Sequence, residues 1–409
     1  MVEKEQVTKV YICSSVGMDY FFFLKKTIES SMFSIDTIFL LTENTYRNLS
    51  KIKGVKKVYL RLQMYLFYPI LLIFKAIVCK NNSIFVVTSN TFFAPILVKI
   101  FTFYKKVKVI HLLYDLYPDA IEMADVIKFD SIWSKFIGLV THLNQSKCDA
   151  TVYLGDFLAT HAQKRWGVSR ISKRIDISTD LTLYDNDDTF IEHGSENEKV
   201  VIHYGGQLGY LHDAESIIEC VRKVGQTDLK DKIEFVFYVS GAQSDLLRKS
   251  LDYKNVKVRS SIDSRIWRND IRNFHIGLVS LSPGGASVCL PSKTYSMMAG
   301  GLSIIAICPV WSDLSRLITS NDCGWVVNNS PYITRDALQN GDYFVRVKEK
   351  CFTDSIADDF ITQIRHILNN RKIIYKYRKN SFFNVRQNYS LNKLKSEWYS
   401  LLNHLNEQA

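Results

Sequence analysis

Three stretches of the chain combine glycine or proline with polar residues in patterns that could do chemistry. The stretch 111–119, HLLYDLYPD, closes an apolar run with a histidine and two aspartates. The stretch 204–213, YGGQLGYLHD, places three glycines between an apolar run and a polar one. The stretch 282–301, SPGGASVCLPSKTYSMMAGG, contains glycine pairs, two prolines and a lysine. Each follows a strand-like segment, and open parallel sheets bind ligands beyond the carboxyl ends of their strands.

In the third stretch, Lys293 is the residue whose presence is hardest to explain by a contribution to stability. Residues 283–285 predict an irregular loop, and Pro291 suits the first turn of a helix that we expect at 291–300. A lysine at the start of a helix opposes the helix dipole. A bound diphosphate would satisfy both the ammonium and the N–H groups of the helix. The alternative is a solvated surface lysine.

The glycines of the second stretch have two interpretations. Gly205, Gly206 and Gly209 would let a ligand approach the backbone without a Cβ in the way. The helix expected from Asp213 would present unpaired N–H groups to an anion. Glycines are also common at such turns for packing, so the pattern leaves both interpretations open.

Asp115 and His111 are the candidate acid–base groups. We expect both side chains at the carboxyl edge of the strand that ends near Tyr114. Asp115 could position or deprotonate a hydroxyl group. Alternatively, it caps a helix that begins near Pro118, and the residues alone favour this cap.

Alternating strand-like and helix-like segments must position these three stretches. Strands are expected at 10–14, 55–60 and 107–114, and again at 200–204, 233–240 and 275–281. Such alternation predicts parallel sheets with right-handed crossovers. The polar, acidic segment 185–199 is typical of a linker. We therefore expect an α/β fold of two Rossmann-like domains facing a cleft, at 1–184 and 200–380, with an amphipathic C-terminal helix at 381–409.

The composition excludes several classes of protein. Of the 409 residues, 47% are hydrophobic and 23% are charged, which is typical of a globular chain. The eight cysteines show neither a CxxC pair nor zinc-ligand spacing, so no disulfide scaffold or zinc module is expected. The N-terminus lacks a signal-peptide pattern, and we expect a cytoplasmic protein. The net charge of +11 is spread widely, so no nucleic-acid partner is expected.

Two apolar runs, 64–74 and 92–104, are flanked by lysines and arginine. Each is shorter than the about 20 apolar residues that a spanning helix needs. They could be ordinary core helices, or they could contact an anionic membrane surface, and one helix could do both with different faces.

Taken together, the motifs resemble those of bacterial retaining glycosyltransferases of family four, which have the two-domain GT-B fold. The likeness is strongest to members that build O-antigen, capsule or exopolysaccharide units. It rests on Val16-Gly17, HLLYDLYPD at 111–119, YGGQLG at 204–209 and LPSKTYSMMAGGLSIIA at 290–306, in the family's order. The last motif is the most specific. The resemblance covers nearly the whole chain and implies that the C-terminal helix returns to the first domain.

The resemblance implies transfer of a sugar, with retention of configuration, from a nucleotide diphosphate sugar to a hydroxyl group. A lipid-linked glycan acceptor would account for the apolar, basic first domain, and the enzyme would lie peripherally on the inner face of the cytoplasmic membrane. No metal ion or other cofactor is implied. The implied catalytic residues are Asp115 and His111, and Gly17 and Asn90 lie on the acceptor side. The implied donor-binding residues are Gly205, Gly206, Gln207, Ser282, Gly284, Gly285, Lys293 and Ser296.

The chain also departs from the family's pattern. Many members have two glutamates where this chain has Val288 and Ser296, and the arginine often found after the glycine turn is missing. Lys293 would then be the main cationic contact to the diphosphate. Two alternatives stay open: a nucleotide-sugar 2-epimerase of the same fold, and a catalytically silent nucleotide-sugar-binding partner in a polysaccharide assembly complex.

Overall fold

The computed structural model describes residues 7–47, 49, 52–177, 179–184 and 198–407. The chain divides into two compact units, residues 1–178 with 391–409, and residues 179–390. Each unit contains a six-stranded sheet in which every pairing is parallel. The expectation of an α/β fold with two parallel-sheet domains is confirmed.

The sheet of the first unit has the strand order β3-β1-β5-β6-β7-β8, and β2 pairs with β4 separately. The strands are β1 (Thr8–Cys13), β2 (Val16–Gly17), β3 (Phe33–Ile38), β4 (Leu41–Thr42), β5 (Ile84–Thr88), β6 (Lys108–Leu113), β7 (Ala150–Tyr153) and β8 (Ser172–Arg174). The central strand β5 is buried at every position, as expected for a strand covered on both faces.

Helices cover both faces of this sheet. They are α1 (Asp19–Ile28), α2 (Glu43–Arg47), α3 (Gly54–Leu62), α4 (Tyr68–Val78), α5 (Ala94–Phe101), α6 (Asp119–Met123), α7 (Ile132–Lys147) and α8 (Asp156–Trp166), with a π-helical turn at Gln63–Phe67 between α3 and α4. The turn joins α3 to α4 without a break, so 54–78 is one helical segment.

The strand expected at 55–60 is wrong, because these residues form α3. Local sequence favoured a strand through its valines and tyrosine. The structure instead buries Leu60, Met64, Tyr68, Leu72 and Ala76, one residue in every four. This spacing is the period of a helix with one face on the core, and it overrides the local preference.

The sheet of the second unit has the order β11-β10-β9-β12-β13-β14. Its strands are β9 (Val200–Gln207), β10 (Ile233–Ser240), β11 (Val256–Ser260), β12 (Ile276–Ser280), β13 (Ser303–Ile307) and β14 (Gly324–Val327). Its helices are α9 (Ala214–Gly225), α10 (Ser244–Ser250), α11 (Ser264–Asp270), α12 (Pro283–Val288), α13 (Lys293–Ala299), α14 (Asp313–Ser320), α15 (Arg335–Gln339), α16 (Tyr343–Arg346), α17 (Thr353–Asn369) and α18 (Lys372–Asn388). Short 3-10 turns lie at Leu181–Tyr184, Asp228–Asp231 and Ile271–Asn273.

Two local expectations for the third stretch need correction. Residues 283–285 are the first turn of α12 and not an irregular loop, because the Ser282 side chain caps that helix. The next helix begins at Lys293 and not at Pro291. Lys293 is nevertheless the first helical residue, as the sequence argument required.

The division of the chain also differs from the expected boundaries. The 3-10 turn at 181–184 belongs to the second unit, where Arg272 donates a hydrogen bond to the carbonyl of Tyr184. Most of the expected linker, 185–197, lies outside the described residues.

At the other end, α18 belongs to the second unit and the helix Leu391–Glu407 to the first. That last helix buries Trp398 and four leucines in the same core as β1, and Tyr399 donates a hydrogen bond to the Ile28 carbonyl at 3.0 Å.

Candidate active site

The ammonium of Lys293 lies against an aromatic ring and not against a carboxylate. Its Nζ is 3.7 Å from the centroid of the Tyr204 ring and donates a hydrogen bond to the Tyr204 hydroxyl at 2.5 Å. It also approaches the Gln207 carbonyl at 3.4 Å. Within the described ranges, no carboxylate forms a salt bridge with Lys293. Burial lowers the pKa of this amine well below its usual value, because desolvation disfavours the charged form. An anion bound beside it would favour the protonated form.

The end of β9 brings the backbone close to Lys293. Gly206 has a φ of +109°, which is accessible to glycine and strained for other residues. A Cβ at this position would lie 3.8 Å from Cδ of Lys293. The side chain of Gln207 is exposed, and only its carbonyl contacts the lysine. Gly206 and Gln207 therefore shape the strand end beside the ammonium.

Gly205 has a packing role that the sequence argument left open. A Cβ there would lie 2.4 Å from Nε1 of Trp267 and 2.8 Å from Nε2 of His203. These two atoms are hydrogen-bonded at 2.8 Å, with the indole donating. Burial lowers the pKa of His203 to about 3, which keeps its Nε2 free to accept. Gly205 makes room for this bond, so a direct ligand contact is not needed to explain it.

Ser282, Gly284 and Gly285 are likewise engaged in local structure. The Ser282 hydroxyl accepts from the Gly285 N–H at 3.1 Å and donates to the Leu211 carbonyl at 3.2 Å. A Cβ on Gly285 would lie 2.2 Å from the same carbonyl. The Gly284 carbonyl accepts from Ser287 at 2.7 Å. These contacts dock the start of α12 on the loop that follows β9.

Four buried polar atoms in this part of the second unit have no hydrogen-bond partner among the described residues. They are Oγ of Ser280, Oγ1 of Thr294, Nδ1 of His212 and Oδ1 of Asn329. The side-chain Nδ2 of Asn329 donates to the Asp213 carboxylate at 2.9 Å and to the Leu281 carbonyl at 2.8 Å. These bonds place Asn329 at the end of β12. Unpaired buried polar atoms are costly, so a polar ligand would lower the free energy of this region.

Ser296 stands where many members of the family that the sequence resembles have a glutamate. In the structure it lies close to the 3-10 turn at Leu181–Tyr184. A hydrogen bond with Ser296 partly offsets the rise that burial causes in the pKa of Tyr184. Ser296 is therefore held close to Tyr184 in the described structure.

Asp115 lies at the carboxyl edge of β6 and does not cap a helix. The helix α6 follows Pro118 and has no side-chain cap. No described residue forms a hydrogen bond or salt bridge with the Asp115 carboxylate, which is half-buried. Burial raises its pKa to about 6. A carboxylate with a pKa near neutrality and no structural partner is suited to acid–base chemistry.

Serine and asparagine side chains tie together the loops around Asp115. The Ser89 hydroxyl accepts from the N–H groups of Tyr114 and Asp115, both at 3.2 Å. Asn90 donates to Ser14 at 3.3 Å. The carboxyl ends of β1, β5 and β6 thus meet at one polar edge that holds Asn90 and Asp115.

His111 does not lie where the sequence placed it. His111 is inside β6 and only 1% exposed, and neither ring nitrogen has a described partner. Burial lowers its pKa to about 3, so the ring is neutral. The expectation that His111 reaches the strand edge is wrong. Gly17 is buried in β2, where a Cβ would lie 3.0 Å from Phe39, so it serves packing.

Asp119, the other aspartate of the first stretch, belongs to a buried ionic network. Its carboxylate accepts from Trp166 at 2.6 Å and from Arg165 at 2.9 Å, and it lies 2.8 Å from Nε2 of His161. Arg165 also bonds to Glu122. These contacts hold the pKa of Asp119 below its usual value against the effect of burial. Asp119 is therefore structural.

Sequence reasoning missed Ser89 and the role of Tyr204. Tyr204 directly precedes the glycine pair, so the motif marked its place. Its contact with Lys293 joins residues 89 positions apart, and no local pattern predicts it. No group of three or more His, Cys, Asp or Glu residues that could hold a metal ion occurs in the described part of the chain.

Comparisons with known proteins extend this picture. No model of a known protein family matches the chain. The chain is 24% identical over 221 residues to a Pseudomonas aeruginosa protein named probable glycosyltransferase WbjE. The match spans 52% of this chain and 54% of WbjE, so it covers about half the length of that relative.

Solved structures match over more of the chain. Anabaena HepE in complex with UDP superposes with a TM-score of 0.62 at 10% identity, covering 98% of this chain and 100% of HepE. Sucrose-phosphate synthase from Thermosynechococcus elongatus matches with a TM-score of 0.62 at 11% identity, covering 99% of this chain and 100% of that chain. The chain has the GT-B fold.

A third structure of the same fold is S. aureus TarM in complex with fondaparinux, α-GlcNAc-glycerol and UDP. It matches with a TM-score of 0.56 at 15% identity, covering 82% of this chain and 59% of TarM. The GT-B fold places Lys293 at the carboxyl edge of one Rossmann-like sheet and Asp115 at that of the other.

Proposed function

We propose that this protein is a glycosyltransferase of family four, which moves a sugar from a nucleotide diphosphate sugar to a hydroxyl group with retention of configuration. The observation that carries the proposal is the Lys293 amine, which lies at a strand edge with an aromatic ring and a hydroxyl as partners and without a counter-charge among the described residues. A diphosphate would supply that charge. The names of WbjE and TarM's bound UDP support the same chemistry.

The second unit would bind the donor. As the bond between sugar and diphosphate breaks, negative charge builds on the leaving group. The Lys293 ammonium would stabilise that charge, and the Tyr204 ring and hydroxyl fix its position before the reaction. No metal ion takes part in this proposal, so removal of divalent ions by a chelator should leave turnover unchanged.

The first unit would bind the acceptor. Asp115 would orient or deprotonate the acceptor hydroxyl, or stabilise positive charge on the sugar, and Asn90 lies at the same edge. The α-linked GlcNAc-glycerol in the TarM structure is the type of product that retention at an α-linked donor yields. It supports retention as the stereochemical course for this chain.

The composition of the first unit bears on the acceptor and on the place of the reaction. A lipid-linked glycan acceptor in surface polysaccharide synthesis would suit the apolar and basic character of residues 54–108. The enzyme would then work in the cytoplasm at the inner face of the membrane, as a peripheral protein.

A donor screen tests the proposal. The purified chain is incubated with a panel of nucleotide diphosphate sugars, with and without membrane extract, and released nucleoside diphosphate is measured together with lipid-extractable sugar. Release that depends on the extract supports a transferase. A change of the sugar without acceptor indicates a 2-epimerase, and binding without any release indicates a silent partner. No binding of any nucleotide sugar would contradict all three.

A further inference from the structure

The helical segment 54–78 has two apolar faces, and the core uses only one of them. Its buried stripe is Leu60, Met64, Tyr68, Leu72 and Ala76, which pack on the first unit's sheet and the small β2-β4 ladder. The opposite face is exposed to solvent. Its apolar residues are Val55, Val58, Tyr59, Leu62, Tyr65, Leu66, Phe67, Ile70, Phe74, Ile77 and Val78, each between 42% and 86% exposed.

Length and composition alone would allow this segment to cross a bilayer. In the described ranges it is the one helix that is long and apolar enough, with 25 residues and an 18-residue stretch whose mean hydropathy is 1.4. The buried stripe argues against a spanning position. Removing it from the sheet would expose the cores that contain Tyr68, Leu72 and Met64. The segment can offer its outer face to a bilayer only while lying along the surface.

The stretch of sequence that contains this face carries formal charge of a single sign. Between Glu43 and Asp115, the 71 residues 44–114 contain twelve lysines and arginines and no aspartate or glutamate. The net charge of the whole chain is +11, so the rest of the chain contributes 11 − 12 = −1. A face with this charge complements phosphatidylglycerol-type headgroups, whereas uncharged lipid would not attract it.

Neighbouring helices extend the apolar surface. The helix α5 packs between α4 and α7. Beyond the C-terminal end of α5, Phe103 is 83% and Tyr104 58% exposed, and Lys105 and Lys106 follow. On α7, Trp133 is 68% exposed beside Ile132, Phe136 and Leu139. Aromatic residues among lysines are typical of elements at the membrane–water interface.

The inner side of the segment reaches the edge that holds Asp115. The Met64 carbonyl, in the π-helical turn, accepts a hydrogen bond from Thr91 at 3.2 Å, next to Asn90. Tyr46 packs on the cluster that contains Met64. Burial raises the pKa values of Tyr46 and Tyr117, and the nearby Asp115 carboxylate and Tyr65 raise them further. A π-helical turn at such a place is a frequent feature of functional sites.

We propose that the segment 54–78 lies in the surface of an anionic bilayer with its outer face among the lipids, while its π-helical turn forms a wall of the Asp115 edge. An acceptor with a lipid anchor would then reach Asp115 without leaving the membrane. The membrane contact stands independently, and only the delivery of the acceptor rests on the proposed glycosyl transfer.

Flotation with vesicles tests the membrane contact on the full chain. The wild type should bind vesicles of phosphatidylcholine mixed with phosphatidylglycerol, bind much less to phosphatidylcholine alone, and dissociate at high salt. Ile70→Glu with Phe74→Glu, at positions 54% and 59% exposed, should weaken binding by about ten-fold or more. The control is Val345→Glu with Phe352→Glu, at positions 53% and 86% exposed in the second unit, which should bind as the wild type does.

A second readout uses Trp133. Its fluorescence should be quenched by brominated anionic lipid, and the quenching should disappear in Trp133→Phe. Lack of binding by the wild type, equal binding by the Ile70/Phe74 variant, or absence of quenching would overturn the inference. If the wild type is a dimer and that variant is a monomer with unchanged vesicle binding, the face instead holds a second copy of the chain.

Activity separates this inference from the proposed function. The Ile70/Phe74 variant should bind nucleotide sugar normally and should raise the KM for a lipid-anchored acceptor without changing kcat on a short-chain soluble one. Vesicle binding without any nucleotide-sugar turnover would refute the proposed function and leave the membrane surface in place. Nucleotide-sugar turnover without vesicle binding would support the proposed function and refute the membrane contact.

Discussion

Lys293 donates a hydrogen bond to the hydroxyl of Tyr204 while its Nζ lies 3.7 Å from the centroid of the same ring. The two residues are 89 positions apart and belong to different elements, α13 and β9. Both partners of the ammonium are neutral, and burial lowers its pKa well below the usual value. An amine held in this way gains a proton more readily when an anion binds beside it.

Replacing Lys293 with methionine should separate binding from stability. Because the folded state disfavours the charged lysine, Lys293→Met should keep or raise the melting temperature at neutral pH. The affinity for nucleoside diphosphates should fall about ten-fold or more, since a charge-assisted contact is lost. Calorimetry in buffers of different ionisation enthalpy should show proton uptake on binding by the wild type and none by the variant.

The matched control for this experiment is Lys249→Met, at an exposed lysine of α10 in the same unit. Lys249→Met should change neither the melting temperature nor the affinity for nucleoside diphosphates. Equal affinities of Lys293→Met and the wild type would remove Lys293 from the donor site.

Asp115→Asn should lower transfer by about a hundred-fold, because asparagine keeps the shape and loses the acid–base group. Wild-type transfer should rise as the pH increases through about 6, where this carboxyl loses its proton. Donor affinity should persist, since the proposed diphosphate contacts lie on the second unit. A pH–rate profile of both proteins checks this, with Glu29→Gln on the exposed surface as the control.

Asp115→Asn should also change how the stability of the protein depends on pH. The pKa of Asp115 is raised from 3.8 to about 6 in the folded state, so its contribution is present at low pH and is lost as the pH rises past 6. Asp115→Asn should therefore stabilise the protein at pH values above 6, by about 1 kcal/mol after allowance for partial exposure. At low pH the two proteins should melt alike. Near-normal transfer by the variant would remove Asp115 from the proposed catalytic machinery.

Asp119→Asn should destabilise the first unit by about 3–5 kcal/mol, because it removes the buried negative charge opposite Arg165 and replaces one acceptor oxygen with an amide group that cannot accept. The pKa of Asp119 is held low, so its stabilising effect is present at neutral pH and is lost as the pH falls through its folded-state pKa. Urea unfolding at neutral and acidic pH should show the difference shrinking in acid. Asp156→Asn, which removes an exposed ion pair with Arg174, should cost about 1 kcal/mol or less.

Alanine substitutions at two glycines of the second stretch should differ in their effect on stability. Gly205→Ala would place a Cβ 2.4 Å from Nε1 of Trp267 and should destabilise the second unit by about 1–3 kcal/mol. At Gly209, a Cβ would meet nothing within 4 Å, so Gly209→Ala should melt like the wild type. Thermal melts and nucleotide titrations check both variants. A stable Gly209→Ala protein with weakened nucleotide binding would mean that Gly209 contacts the ligand.

The sequence by itself determined the α/β architecture, and it identified Lys293 as a candidate for binding an anion. Runs of apolar residues at strand length, alternating with helices, require sheets buried on both faces, and the strand expected at 233–240 is β10. The poor fit of a lysine at a helix start identified Lys293 before any contact was known. These features are local, because the period of burial and the chemistry of a helix end depend on neighbouring residues.

Only the tertiary structure decided which polar groups are already paired. Asp115 and Asp119 are four positions apart in one motif, yet the first has no described partner and the second has three. The partners of Asp119 lie 42 to 47 positions along the chain, and Gly285 is required by a carbonyl at Leu211. The helix α3 formed where valines favoured a strand, since the buried stripe from Leu60 to Ala76 packs on a sheet formed by residues distant in the chain. Pairing and packing of this kind depend on residues that the fold brings together, so no local pattern can encode them.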